Sequence, residues 1–143
     1  MLDTELTLKE RMKALQAERD YRLDKDSYIL CHIDGRAFSK MIKKKFRLPF
    51  DDDFMRMMDD TAAYICENVQ GAKLAYVQSD EITVVITNFK YEGGEFLQGS
   101  SFFDYRLCKL QSIIASLATA KFNQLYTLWM ISKDSDKSFN QQI

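Results

Sequence analysis

Residues 73–89 read KLAYVQSDEITVVITNF. Two runs rich in β-branched and aromatic residues, Lys73–Gln78 and Ile82–Phe89, flank the short polar stretch Ser79-Asp80-Glu81. That pattern predicts two strands joined as an antiparallel hairpin, with carboxylates at its tip. Upstream, residues 27–33, SYILCHI, predict a buried strand that stops at Asp34-Gly35, where the chain must turn. Between them lies the clearest helix, residues 51–69. Three aspartates open it, where carboxylates favour the positive end of the helix dipole. Phe54, Met57, Met58, Thr61, Ala62, Ile65 and Val69 form its apolar stripe, and Gly71 follows as a terminating glycine.

Working outward, residues 4–20 predict a charged N-terminal helix. Leu6, Leu8, Met12 and Leu15 sit near helical spacing, Thr4 or Thr7 is placed to cap it, and Thr7 to Glu10 has capping-box spacing. Residues 39–48 read as a basic connection and residues 92–100 as a glycine-marked loop. Residues 101–129 predict a second long helix, and residues 132–143 a polar, frayed tail. The order α, β, α, β, β, α predicts one α+β domain over residues 1–143, with helices packed on an antiparallel sheet.

Composition sets outer limits. The chain has 143 residues, 46% hydrophobic and 29% charged, as expected of a folded domain rather than a disordered one. Uncharged runs such as Leu110 to Ala120 are too short and too polar to span a bilayer, and the N-terminus lacks secretory-signal character. A cytoplasmic location is the expectation. Three scattered cysteines, Cys31, Cys66 and Cys108, make no disulfide framework and read as small buried residues. With a single histidine, the common His/Cys zinc patterns are excluded. A formal net charge of -1 confines any nucleic-acid contact to a local patch.

Asp34 ends one predicted strand; Asp80 and Glu81 sit at the hairpin tip. If the strands are neighbours, the carboxylates converge. Nucleotidyl transfer needs that arrangement, because magnesium takes one or two carboxylates and fills its shell with water and substrate phosphates. Gly35 beside the ligand lets a backbone atom approach closely. Residue types alone leave the plain alternative open, since Asp-Gly and Asp-Glu are also ordinary turn residues. The basic run Lys40, Lys43, Lys44, Lys45 and Arg47 reads either as a phosphate or RNA contact or as a solvated loop, with Met41, Phe46 and Phe50 interleaved.

Four stretches carry a more specific signal: HIDGRAFSK (32–40), RLPFDD (47–52), AYVQSDEITVV (75–85) and FFDYRLCKLQSIIASLATAKFN (102–123). In this order the chain resembles the tRNA-His guanylyltransferase family, most like members from bacteria and their viruses. The opening KERMKALQAE is similar as well, so the resemblance runs from about Lys9 to Phe122. It implies a palm-like, ferredoxin-type βαββα domain that adds nucleotides to a tRNA 5′ end in the 3′-to-5′ direction, with ATP or GTP as substrates and two Mg2+ ions. It implies Asp34 and Asp80 as metal ligands, the Gly35 carbonyl as a third, and Glu81 as an acidic helper. Arg36, Ala37, Phe38, Ser39 and Ser79 match the stretches that wrap the nucleotide, and Arg106 and Lys109 match cations facing the triphosphate. A homo-oligomer, dimer or tetramer, is also implied.

The chain departs from the family at Leu48, where a lysine often precedes the proline, and at Cys108, often a serine. A HINNLYN motif is absent, and the sheet's final strand is expected to be missing. Two other readings follow: a truncated, inactive remnant that binds nucleotide or RNA, and another palm-like enzyme such as a cyclic-nucleotide synthase.

Overall fold

The computed structural model describes residues 6–140. Its centre is a three-stranded antiparallel sheet of β1 (Ile29–Asp34), β2 (Ala72–Gln78) and β3 (Glu81–Ile86), in the order β1-β3-β2. The predicted strands and hairpin are present, and β1 lies directly beside the hairpin. Val84 and Ile86 of β3 are fully buried and Ile82 nearly so, while Thr83 and Val85 between them are half-buried. Alternation therefore sends one row into the core and the other to the opposite face.

The core face is covered by α3 (Asp52–Asn68), which packs on β2 and β3, and by α4 (Leu107–Asn140), which packs on α3. Asp51 caps α3 by accepting from the Phe54 N–H at 3.0 Å. Phe54, Met57, Met58, Thr61, Ala62 and Ile65 are its buried face, the stripe the sequence predicts. Ile114, fully buried on α4, faces the same core. An aromatic cluster extends it, with Phe46 stacked on Trp129 at 4.7 Å between ring centroids. The Trp129 indole N–H donates to Asp53 at 2.9 Å, and Lys133 reaches the same carboxylate at 3.2 Å, tying α4 to the start of α3.

Several expectations are corrected. The N-terminal helix is shorter, α1 at Leu8–Ala17; its capping box between Thr7 and Glu10 is present, but none of its residues is buried. Thr4 and Glu5, within the predicted span, lie outside the described residues. The expected basic connection is α2 (Phe38–Lys45). Phe38, Met41 and Ile42 give it one face against the core, and Lys43, Lys44 and Lys45 fall in its last turn, where positive charge suits the helix dipole. The expected glycine loop is a second hairpin, β4 (Phe89–Glu92) and β5 (Glu95–Gln98), turning at Gly93-Gly94, and the strand predicted to reach Phe89 ends at Ile86.

The last helix also starts later and runs further than predicted. A tight turn, Phe102–Tyr105, precedes it, with Phe103, Asp104 and Tyr105 at φ 47, 53 and 52°. Arg22 and Lys25 pair with Asp104, and Arg106 Nε donates to Asp20 at 2.6 Å, so the segment before β1 pins this turn. The expected frayed tail is helical through Asn140; residues 141–143 lie outside the description. Of the cysteines, Cys31 and Cys66 are half-buried and Cys108 is exposed, so none is the fully buried residue expected.

Two stability effects follow. Gly71, past the end of α3, has φ +88°, and a Cβ there would stand 2.4 Å from the Thr87 carbonyl oxygen. Gly71→Ala should destabilise the fold by roughly 2–3 kcal/mol in urea unfolding, combining left-handed strain with a backbone clash. Asp53 is held below the usual carboxylate range, chiefly by the Trp129 indole N–H and then by Lys133. A depressed folded-state value means the stabilisation is present above about pH 4 and is lost as pH falls through that lower value. Asp53→Asn should therefore lower Tm at pH 7 and flatten its decline at acid pH.

Candidate functional site

Asp34 is the last residue of β1, and its Cα partner is Glu81, the first residue of β3. Asp80 stands one residue earlier, in the two-residue turn between β2 and β3. The ladder continues past the end of β1, because the Gly35 N–H donates to the Asp80 carbonyl at 3.1 Å. Two carboxylates distant in sequence are thereby fixed on adjacent chain segments. Ser79, at φ 55°, adopts the left-handed backbone that the tight turn requires, and its hydroxyl donates to the Asp80 carboxylate at 3.1 Å. Ala37, at φ 61°, turns the chain from the strand end into α2. Two non-glycine residues in this conformation flank the carboxylates, a kind of backbone strain that clusters at functional sites.

Asp34, Gly35, Arg36, Phe38 and Asp80 border one cavity of about 250 Å3. Its apolar walls are Ile33 and Ile82 from the sheet, Met58 from α3, and Ala118 and Phe122 from α4. Thr61, Thr119 and Asn123 add polar groups, of which the Thr61 hydroxyl is already committed as donor to the Met57 carbonyl at 2.7 Å. The Phe38 ring lies 4.8 Å from Phe122 and 6.4 Å from Phe54. The cavity is thus apolar at depth and anionic at its mouth, with Arg36 beside the carboxylates. No ion pair engages Arg36 among the described residues.

Not every predicted residue reaches this cavity. Glu81 is half-buried at the start of β3, next to Asp34 in register but outside the lining. Ala37 and Ser39 are exposed beside it, and Ser79 borders a neighbouring groove with Arg47 and Pro49. Arg106, just before α4, and Lys109, in its first turn, lie roughly 20 and 15 Å along the helix axis from Thr119. Arg106 is bound to Asp20 there, and Lys109 stands over the Phe103 ring at 5.9 Å. The sequence reading missed Ile33, Met58, Thr61, Ile82, Ala118, Thr119, Phe122 and Asn123 as site residues. Thr119 and Asn123, four residues apart beside an apolar stripe, carried the one usable signal.

The donor set can be tested against a metal. Among the described residues, no group of three His, Cys, Asp or Glu side chains is arranged to hold an ion. The site offers two carboxylates and backbone oxygens, with no histidine or cysteine among the lining residues. Such a set is incomplete for a structural ion and fits magnesium that completes its shell with water and substrate phosphates.

Comparison with known proteins adds an independent line. The family model for Thg1, tRNAHis guanylyltransferase, matches residues 9–142. An uncharacterized protein, R259, of Acanthamoeba polyphaga mimivirus is 31% identical over 83% of this chain and 40% of its own length. The tRNA(His) guanylyltransferase of Schizosaccharomyces pombe (strain 972 / ATCC 24843) is 32% identical over 75% of this chain and 38% of its own length. Among solved structures, a bacterial tRNA(His) guanylyltransferase (Thg1)-like protein in complex with ATP superposes with TM-score 0.73 and 37% identity, covering 84% of this chain and 50% of that one. The complex with GTP gives 0.74, covering 52% of that chain. The chain thus spans about half the length of those structures, and less of the curated relatives.

A methyl group added at Gly35 would meet the Phe38 ring at 2.5 Å. Gly35→Ala should lower stability by about 1–3 kcal/mol through overpacking. Adding Phe38→Leu should recover part of that loss in thermal unfolding, because the obstacle is a side chain rather than backbone.

Proposed function

This chain belongs to the tRNA-His guanylyltransferase family, and from that premise we propose that it is a nucleotidyltransferase adding nucleotides in the 3′-to-5′ direction to tRNA 5′ ends. The observation that carries the proposal is the single cavity that joins Asp34 and Asp80 at its mouth to an apolar interior. A triphosphate needs cationic and metal-held surroundings; a nucleobase needs an apolar slot with a few hydrogen-bonding groups at its edge. At about 250 Å3, the cavity admits a base and part of its ribose and leaves the phosphates outside, beside the carboxylates and Arg36.

Each residue then has a task. Ile33, Met58, Ile82 and Phe122 desolvate the base, Phe38 closes one side, and Asn123 and Thr119 meet polar atoms at its edge. Arg36 neutralises phosphate charge. The Ser79 hydroxyl orients the Asp80 carboxylate. Asp34 and Asp80 would hold Mg2+, two ions in the full reading, which supplies charge stabilisation to attacking and leaving oxygens. In the transfer, the 3′-hydroxyl oxygen of the incoming nucleotide bonds to the α-phosphorus of an activated tRNA 5′ end. The bond to the leaving pyrophosphate or nucleotide breaks, and the hydroxyl proton passes to solvent. Glu81, beside Asp34 in register, adds negative potential that helps retain cations there.

One observation favours a second reading, nucleotide or RNA binding without chemistry. Of the cations expected around the triphosphate, only Arg36 lines the cavity, while Arg106 and Lys109 stand far along α4. A 5′-extension assay separates the two. The chain is incubated with Mg2+, all four nucleoside triphosphates and a tRNA lacking its first nucleotide. Extension by the parent, reduced at least about 1000-fold (~4 kcal/mol) in the Asp34→Ala, Asp80→Ala double variant, is the expected result. Nucleotide binding with no extended product would establish the binding-only reading.

A further inference from the structure

The face of the sheet opposite α3 and α4 bears the outward rows of all three strands. Register sets them in order. Nearest the carboxylates stand Asp34, Glu81 and Gln78. Next come His32, Thr83 and Tyr76, where His32 Nδ1 and Thr83 Oγ1 are hydrogen-bonded at 3.0 Å. Behind them is the aliphatic row Leu30, Val85 and Leu74, and beyond it Tyr28 packs against the Phe89 ring at 6.0 Å. Tyr28 and Tyr76 are 65% and 60% exposed, although large aromatic side chains normally bury most of their surface. A groove at the Tyr28 end holds Lys73 and Lys90, with Glu92 as its acidic member. Neither lysine is in an ion pair among the described residues.

We propose that this open face binds an unpaired polynucleotide strand, its bases stacking on Tyr76 and Tyr28 and its phosphates meeting Lys73 and Lys90. Aromatic rings on a sheet surface accept any base by stacking, and flanking lysines track the backbone charge. Tyr76 and Tyr28 lie roughly 13 Å apart along the strands and about 10 Å across them, so a strand crosses the face diagonally. β1 and β2 are both edge strands, but a peptide adding to either would also need a continuous apolar strip. The aliphatic row is a single layer between a hydrogen-bonded polar row and a basic groove. Strand binding stands independently of the chemistry above; only its direction, which leads an end toward Asp34 and Asp80, rests on the nucleotidyl-transfer reading.

The test is fluorescence anisotropy with short labelled oligonucleotides, without nucleoside triphosphate or Mg2+. Single-stranded RNA, single-stranded DNA and a duplex are compared; the first two reveal whether the sugar matters. The unpaired strand should bind more tightly than the duplex. Tyr28→Ala with Tyr76→Ala should weaken it about tenfold or more, and the matching Tyr→Phe pair should retain binding. Lys73→Gln with Lys90→Gln should reduce the salt dependence by about two phosphate contacts. On the unaltered chain, a photocrosslinking 4-thiouridine oligonucleotide should attach to peptides containing Tyr28 or Tyr76, which keeps the test decisive if the alanine pair fails to fold. Asp34→Ala with Asp80→Ala, which removes two negative charges at one end of the face, should not weaken strand binding, even if no extension activity is found.

Equal affinity in the parent and the folded alanine pair would overturn the proposal, as would crosslinks confined to the Lys43–Arg47 region. Loss of self-association in the alanine pair, with polynucleotide binding unchanged, would identify the face as a contact between copies instead.

Discussion

One alignment governs the molecule: β3 held antiparallel between β1 and β2, with Glu81 facing Asp34 on one side and Gln78 on the other. The Gly35 N–H to Asp80 carbonyl bond carries that alignment beyond the strand end. Side chains alternate along a strand, so a slip of one residue would exchange the core row for the outward row. It would also separate Asp34 from Asp80. Core composition, the character of the exposed face and the pairing of carboxylates are therefore consequences of a single register.

The helices convert that register into a cavity. Met58, Ile82 and Phe122 belong to the buried core, and the same atoms wall the space behind the carboxylates. Stability and the shape of the cavity draw on shared side chains, so substitutions there change both. The far half of α4 is coupled to α3 at Asp53, where the Trp129 indole and Lys133 meet one carboxylate. Rotation of α4 about its axis is restrained at that point, about 9 Å along the helix from Asn123, which helps fix where Thr119 and Asn123 point.

Much of this was legible in the sequence because the signals were local and redundant. The hairpin has β-branched runs on either side of a polar turn, and α3 has an acidic cap, a six-residue apolar face and a glycine beyond its end. The convergence of Asp34 with Asp80 followed once the strands were taken as neighbours. The misses have physical causes. Helix α2 is short, lacks a side-chain cap and starts from a left-handed alanine, so charge dominated its pattern. Phe103, Asp104 and Tyr105 take positive φ without a glycine among them, held by Arg22 and Lys25 from a distant segment. Propensity cannot foresee a conformation imposed by tertiary ion pairs. The α4 contribution to the cavity was hidden because depth of burial along a long helix depends on what lies opposite.

The Gly93-Gly94 turn differs from every other connection described. A side chain at either glycine would meet nothing within 4 Å. The β4–β5 hairpin pairs with itself and takes no part in the three-stranded register. Length changes at its tip leave the alignment of β3 untouched, whereas an insertion at Ser79-Asp80 would displace a carboxylate. Over evolutionary time, or in an engineer's hands, that tip is where the chain is free to acquire an appendage, such as an affinity tag or a reporter, while the paired carboxylates stay in place.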